Sequence, residues 1–149
     1  MVTKKTCFSI AIVIFIADQI TKVLARLYLT QSVPLIPNVL HLTLVYNEGA
    51  AFGILQNQRL FFIIISLAVL VYIWRAWKRF GKRFTWPLGL LIGGLLGNLV
   101  DRLLFGPVTD FIDFRIWPVF NIADSSITIS AVWLAILLWK QDSKKSASK

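Results

Sequence analysis

Four long apolar stretches constrain the fold of this chain more than any other feature of its sequence. A helix needs about 20 residues to cross the roughly 30 Å of hydrocarbon in a bilayer, and each stretch has about that length. They lie at about residues 7–27, 60–77, 86–105 and 122–139. A chain with 57% hydrophobic and 15% charged residues is also too apolar for a soluble surface. We therefore predict an all-α membrane protein with four transmembrane helices, in a single integral-membrane domain over residues 1–149.

Lysine and arginine residues indicate which side of the membrane each connection occupies. They cluster at the two termini and between the second and third helices. With four helices these three regions lie on the same side of the membrane, which the positive-inside rule identifies as the cytoplasm. The clusters are Lys4 and Lys5; Arg75, Lys78, Arg79, Lys82 and Arg83; and Lys140, Lys144, Lys145 and Lys149. We expect both termini inside, an uncleaved first helix, a disordered tail from Lys140 onward, and two outer loops at about 28–59 and 106–121.

The first outer loop has the pattern of a small β-sheet. Leu40, Leu42 and Leu44 alternate with other residues, which is the period-two pattern of a strand with one apolar face. Residues 47–49 supply turn chemistry, and apolar residues return at Ala50–Leu55. We predict an outer β region at about 33–55 that lies on the membrane surface.

The acidic residues are concentrated at the outer ends of the predicted helices. Only Asp142 of the seven acids falls in the cytoplasmic tail, and Glu48 falls in the outer sheet. An ionisable group at membrane depth costs several kcal/mol unless it is paired or lies in a polar cavity, so each one is a functional-site candidate. The five that converge on one leaflet are Asp18, Asp101, Asp110, Asp113 and Asp124.

Two features of the helices have structural interpretations. Asp18 and Lys22 are four residues apart and can form an ion pair on one helix face, either to lower the cost of insertion or to shape a site. Gly89, Gly93 and Gly97 form a stripe of small residues that lets a neighbouring helix approach closely. The stripe is best explained by helix packing.

Structural and functional interpretations also compete at the ends of the third and fourth helices. Asn98, Asp101 and Arg102 form one polar patch, in which the two charged residues could simply cap and anchor the helix. Asn121 and Asp124 suit the start of a helix, where a cap and a negative charge are favoured. Capping explains either residue alone, but it explains less well why both lie beside an outer loop that carries Asp110 and Asp113.

The residue types limit the possible chemistry. With one histidine, His41 on a predicted strand, and one cysteine, Cys7, the sequence offers no His-rich metal site, no convincing triad and no intrachain disulfide. Paired carboxylates remain. When two carboxyl groups share one proton, the ionised group can act as a general base toward water, and the protonated group can donate to a carbonyl oxygen. The residues themselves leave Asp101, Asp110 and Asp113 open as the partner of Asp124.

Five motifs in order resemble those of the lipoprotein signal peptidase (signal peptidase II) family. They are Asp18-Gln19-Ile20-Thr21-Lys22, Asn47-Glu48-Gly49-Ala50-Ala51-Phe52, Gly93-Gly94-Leu95-Leu96-Gly97-Asn98-Leu99-Val100-Asp101-Arg102, Val108-Thr109-Asp110-Phe111-Ile112 and Phe120-Asn121-Ile122-Ala123-Asp124. The resemblance covers nearly the whole chain and implies that Asp110 and Asp124 are the catalytic dyad. It also implies that the remaining polar residues orient the site or bind substrate: Asp18, Lys22, Asn47, Asn98, Asp101, Arg102 and Asn121.

The same resemblance implies the substrate and the setting. The substrate would be a diacylglyceryl-modified prolipoprotein, cut just before its lipidated cysteine by a monomer in the bacterial inner membrane, among membrane lipids and without nucleic acid. No metal or cofactor is expected, so chelators should leave activity intact. One departure is a stretch from Asp110 to Asp124 that is shorter than in many relatives. The competing hypotheses are a four-helix exporter of cationic compounds, which needs a carboxylate near the bilayer midplane, and a non-enzymatic assembly subunit.

Overall fold

The computed structural model describes residues 3–49 and 57–146, and within them the chain forms four long helices and a three-stranded sheet. The prediction of four transmembrane helices beside a small sheet is confirmed. The helices have mean hydropathies between 1.4 and 2.1. They are α1 (Lys4–Tyr28), α2 (Arg59–Ala76), α3 (Thr85–Leu104) and α4 (Ile122–Ser146), with 3₁₀ turns at Trp77–Arg79 and Lys82–Phe84.

Helix α3 is the centre of the bundle. It packs against each of the other helices, and 61% of its most apolar stretch is buried, against 17–22% for α1, α2 and α4. The exposed sides of those three helices carry mainly large apolar residues, such as Ile12, Ile64 and Val132. Lipid covers such surfaces without loss of hydrophobic free energy, which explains how a 149-residue chain can be this apolar.

The glycine stripe on α3 lies against α1, which confirms the prediction that it lets a neighbouring helix approach closely. A Cβ atom added at Gly93 would lie 2.7 Å from the backbone oxygen of Ala11, and one at Gly97 would lie 2.5 Å from a carboxylate oxygen of Asp18. These distances are shorter than any real contact allows, so the two helices can approach this closely only because the residues are glycines.

Two parts of the fold differ from the sequence predictions. The third strand of the sheet comes from the second outer loop, which was not predicted to form a strand. Helix α4 continues through Lys140 to Ser146, so the prediction of a disordered tail from Lys140 onward is wrong for these residues. Lysine and glutamine are good helix formers, and extending an existing helix requires no new nucleation.

The sheet is antiparallel in the order β1 (Val33–Ile36), β2 (Leu40–Asn47) and β3 (Val108–Asp113). Asn38, in the turn between β1 and β2, has φ = 61°, a left-handed conformation that asparagine tolerates well. The register shifts between Leu42 and Val45, so that Val45 lies opposite Asp110. The predicted return of apolar residues at Ala50–Leu55 lies outside the described residues.

Candidate active site

The first turn of α4 is capped by its own residues and by α1. The Asn121 side-chain oxygen accepts a hydrogen bond from the Asp124 backbone N–H (2.8 Å), and the Asn121 backbone N–H donates back to Asp124 Oδ2 (3.3 Å). This reciprocal pair is a capping box. Asp18 Oδ1 accepts the next free donor, the backbone N–H of Ala123 (2.8 Å). The capping interpretation is therefore correct, and these bonds also fix the position of the Asp124 carboxylate.

Asn121 links the two aspartates of the predicted dyad. Its side-chain nitrogen donates to Asp110 Oδ1 (2.6 Å) and also lies within 3.1 Å of Asn98 Oδ1 and 3.3 Å of the Thr109 carbonyl oxygen. Its backbone nitrogen contacts Asp124. One fully buried residue therefore contacts both carboxyl groups, and the loop and the helix that carry them meet at this point.

Asn98 on α3 provides a second link. Its Nδ2 donates to Asp124 Oδ1 (2.7 Å), while its Oδ1 accepts from the Lys22 ammonium group (2.9 Å). Because an ammonium group can only donate, the amide oxygen must face Lys22 and the amide nitrogen must face Asp124. The positive charge of Lys22 also polarises the amide, which strengthens its donation to the carboxylate.

Asp110 is carried by β3 and is 1% exposed. Its Oδ2 accepts from Asn47 Nδ2 (2.9 Å), and Asn47 lies two residues beyond Val45, the partner of Asp110 in the sheet register. Burial and, after it, the negative charge of Asp124 raise the pKa of Asp110 to about 7. The hydrogen bonds from Asn47 and Asn121 oppose this shift but do not cancel it.

A second group of charged residues, which we call the ion-pair cluster, consists of the acids Asp18 and Asp101 and the bases Lys22 and Arg26. Lys22 Nζ lies 2.8 Å from Asp18 Oδ2 and 3.2 Å from Asp101 Oδ2, and all three side chains are fully buried. Arg26 lies 3.8 Å from Asp101. Asp101 also accepts the Thr109 backbone N–H (3.0 Å), which ties α3 to the strand that carries Asp110.

A cavity of about 600 Å³ opens beside these residues, between α2, α3, α4 and the segment before α4. Its polar wall is formed by Asn47, Asn98, Arg102 and Asp124. Most of the remaining lining is apolar, and includes Phe62, Ile65, Leu95, Val119, Ile127 and Ile129. Among the acids, Asp124 lines the cavity, whereas Asp110 lies behind the wall, in contact with Asn47. A substrate with both a peptide and an apolar part matches such a lining.

Arg102 lies between the cavity and the start of α2. Its guanidinium group stacks over the Phe62 ring at 4.7 Å, and one of its nitrogens lies 3.4 Å from the Gly49 carbonyl oxygen. It makes no ion pair within 4.0 Å among the described residues, so its donors can reach a bound ligand.

Asp113 is buried at the end of β3, three residues beyond Asp110, and its hydrogen bonds go to Thr43 and Arg115. It accepts hydrogen bonds from the Thr43 hydroxyl (2.9 Å), the Arg115 backbone N–H (2.8 Å) and the Arg115 guanidinium (3.0 Å). Burial alone would raise the pKa of Asp113, but these three donors and the charge of Arg115 together lower it below its usual value. Of the three acids that the residues left open as partners of Asp124, Asp110 is thus the one that shares Asn121 with it.

Three residues of this region were missed by the sequence reasoning. Gln19 contacts the Gly97 carbonyl oxygen (3.1 Å) and Asp101 (3.4 Å), and Arg26 donates to the Thr109 hydroxyl (2.8 Å). Helical spacing could have identified Arg26, since residues 18, 22 and 26 share one face of a helix. Nothing in the local sequence marked Thr109, because its contacts depend on where β3 docks.

Comparison with known proteins identifies the family. The family model for signal peptidase II matches residues 10–140. This chain belongs to the signal peptidase II family. A lipoprotein signal peptidase of Halothermothrix orenii is 45% identical over 141 residues, covering 91% of this chain and 96% of that protein. One of Pelotomaculum thermopropionicum is 40% identical over 147 residues, covering 95% and 96%.

A solved structure of a bacterial membrane enzyme, determined by the in meso method at 2.3 Å resolution, has the same fold. The TM-score is 0.90 at 37% identity, over 97% of this chain and 93% of that one. The family and the fold confirm the predictions of a bacterial multi-pass membrane protein and of a peptidase. Signal peptidase II membership also excludes the exporter and assembly-subunit hypotheses as primary functions.

Proposed function

We propose that this signal peptidase II cleaves diacylglyceryl-modified prolipoproteins just before the lipidated cysteine, with Asp110 and Asp124 as its catalytic dyad. The observation that carries the proposal is that Asn121 contacts both carboxyl groups beside an apolar cavity. The cavity accepts the lipid chains and the apolar signal peptide, while the scissile bond lies against its polar wall.

The chemistry requires one proton on the pair. We assign this proton to Asp110, whose pKa burial raises to about 7, and the ionised form to Asp124, which lines the cavity. Asp124 takes a proton from water as the water oxygen adds to the scissile carbonyl carbon. Asp110, which lies behind Asn47 in the free enzyme, gives its proton to the carbonyl oxygen once the bound peptide has displaced the Asn47 side chain. The resulting diol returns one proton to Asp110 while Asp124 gives its proton to the cysteine nitrogen, and the C–N bond breaks.

The amide side chains hold this pair in position. Asn98 and Asn121 donate to separate carboxyl groups, so each carboxyl keeps its orientation through both proton transfers. In the free enzyme, Asn47 donates to the second oxygen of Asp110. Arg102, at the rim of the cavity, donates to carbonyl oxygens of the bound peptide.

The site faces the outer side of the membrane and both termini are cytoplasmic. The dyad, Asn98 and the ion-pair cluster all lie near the last turns of α1 and α3 or the first turn of α4, which share one side of the bundle. The basic connection between α2 and α3 lies at the opposite ends of these helices. The exposed apolar helix faces contact membrane lipid, and one chain, folded as a single domain, carries the whole site, so the enzyme works as a monomer.

The test uses purified enzyme and a synthetic prolipoprotein peptide with a diacylglyceryl cysteine. Mass spectrometry should show one cut, before that cysteine, by the parent enzyme and none by Asp110→Asn or Asp124→Asn. Thermal unfolding in detergent checks that both variants are folded. Cleavage by either folded variant at the parent rate would overturn the dyad assignment, and a cut elsewhere would overturn the substrate assignment.

A further inference from the structure

Ser66 is a polar residue in the apolar wall of the cavity, on α2. It is 7% exposed and lines the cavity together with Phe62 and Ile65. A serine in a helix commonly bonds the carbonyl oxygen one turn before it. The Ser66 hydroxyl instead has no hydrogen-bond partner among the residues that the structure describes. In the part of the chain that the structure describes, the fully buried side-chain polar atoms without a partner are His41 Nε2 and Trp77 Nε1. The Ser66 oxygen is not one of them, so it is open to the cavity that Ser66 lines and can bond a group that enters it.

The depth of Ser66 follows from contacts between α2 and α3, which run in opposite directions. Arg102 stacks on Phe62, which sets these two residues at similar depth. Asn98 lies one helical turn further into the bundle than Arg102 on α3, and Ser66 lies one turn further in than Phe62 on α2. Asn98 in turn contacts Asp124. Ser66 therefore lies at about the depth of Asp124, on the wall of the cavity formed by α2.

A hydroxyl that faces a catalytic carboxylate across an apolar cavity can recognise one kind of substrate group. We propose that the Ser66 hydroxyl donates a hydrogen bond to a carbonyl oxygen of the bound precursor and is a specificity-determining contact. This inference rests on the proposed function. Two groups of the precursor carry such an oxygen near the cut: the fatty-acid esters on the lipidated cysteine and the peptide backbone of the signal peptide.

The test is the kinetics of Ser66→Ala on the diacylglyceryl precursor. Alanine is a better helix former than serine, so folding is retained. Loss of one neutral hydrogen bond made equally in the ground and transition states should raise KM by about 5- to 10-fold and leave kcat unchanged. Ser66→Thr, which keeps the hydroxyl, should restore KM to within about twofold of the parent value.

Ser130→Ala is the matched control. Ser130 is fully buried, and its hydroxyl donates to the Pro87 carbonyl oxygen (2.6 Å) at the contact between α3 and α4, away from the cavity lining. This variant loses a buried hydroxyl too, but its KM should stay at the parent value. An equal rise in KM for both alanine variants would mean that a general loss of packing is responsible, and would overturn the proposal.

A precursor with ether-linked alkyl chains, which lacks the ester carbonyl oxygens, distinguishes the two sources. If Ser66 contacts an ester, the parent enzyme has a higher KM for the ether precursor, and Ser66→Ala adds no further loss. If it contacts the peptide, Ser66→Ala raises KM equally for both precursors.

An unchanged KM for Ser66→Ala on both precursors, or a rise in KM that Ser66→Thr does not reverse, overturns the proposal. Failure of the parent enzyme to cleave overturns the proposed function instead.

Discussion

Two groups of aspartates lie side by side in this bundle, and their charges are compensated in different ways. In the ion-pair cluster, Asp18 and Asp101 contact the Lys22 ammonium directly, at 2.8 and 3.2 Å. In the dyad, Asp110 and Asp124 contact amide and backbone N–H donors, and neither forms an ion pair among the described residues. Acids of the same type, in neighbouring parts of one bundle, therefore have opposite environments.

The difference shows how a carboxyl group can be fixed in position without a partner of opposite charge. A lysine in contact with a carboxylate strongly favours the ionised form. An asparagine amide satisfies a carboxyl oxygen and fixes its direction, yet carries no net charge. The dyad keeps its position through its amide contacts while burial and mutual repulsion keep the pKa of Asp110 near neutrality. Lys22 contacts Asn98 and forms no ion pair with the dyad among the described residues. Its charge lowers the pKa of Asp110 but does not cancel the rise that burial causes.

The largest expected effect is on the activity of Asp124→Asn. The substitution removes the general base and preserves the shape of the side chain, so kcat/KM should fall by about 10³-fold or more. The unfolding temperature should stay within a few degrees of the parent value, because the Asn98 amide can still donate to the new side-chain oxygen. A large drop in unfolding temperature would instead place Asp124 with the ion-pair cluster, as a residue that holds the fold.

Lys22→Met should mainly lower stability, whereas Asp124→Asn should mainly lower activity. It leaves Asp18 and Asp101 buried without their cation, and breaking a buried ion pair on one side costs about 3–5 kcal/mol of unfolding free energy. Unfolding in detergent measures this loss, with the exposed Lys140→Met as the control for removing a lysine. Parent-like stability would show that the contacts of Lys22 with Asp18 and Asp101 do not stabilise the fold, and would contradict the contrast between the two groups.

The helical part of this fold follows from sequence because each signal is local. Apolar stretches long enough to span a bilayer, the glycine stripe and the capping residues Asn121 and Asp124 each act within one helix. Strand β3 was not predicted because its partner is β2, more than 60 residues earlier. Its Thr109 and Asp110 are almost completely buried, and no pattern within six residues reveals that burial.

In the candidate site, too, the contacts within one helix could be predicted from the sequence, and the contacts between distant segments could not. Helical spacing alone pairs Asp18 with Lys22, but it does not show that Asp18 also caps α4 or that Lys22 also binds Asp101. The choice of Asp110 over Asp101 and Asp113 came from the family resemblance. Its physical reason is a contact between chain segments: Asp101 is held by Lys22 and Asp113 by Arg115, whereas Asp110 meets Asn121.

The pH dependence of activity should show the raised pKa of Asp110. A carboxyl with a raised pKa is protonated below that value and loses its proton as the pH rises through it, so the singly protonated dyad is lost above about pH 7. We expect kcat/KM to fall about tenfold per pH unit on that side. Asn47→Ala removes a hydrogen bond that lowers this pKa, so the fall should begin at higher pH. A fall at lower pH in this variant would contradict the assignment.

The smallest expected effect is that of Asp113→Asn, three residues from Asp110 on the same strand. Asp113 contacts Thr43 and Arg115, and the Arg115 side chain is 49% exposed, so solvent screens the pair and its loss should cost at most about 1 kcal/mol. Activity should stay within about threefold of the parent value, with the same pH profile. The comparison with Asp110→Asn in one cleavage assay is sharp, because both changes replace a carboxyl group of the same strand by an amide. Equal losses of activity would mean that either carboxyl group of this strand serves catalysis, whether or not it contacts Asn121.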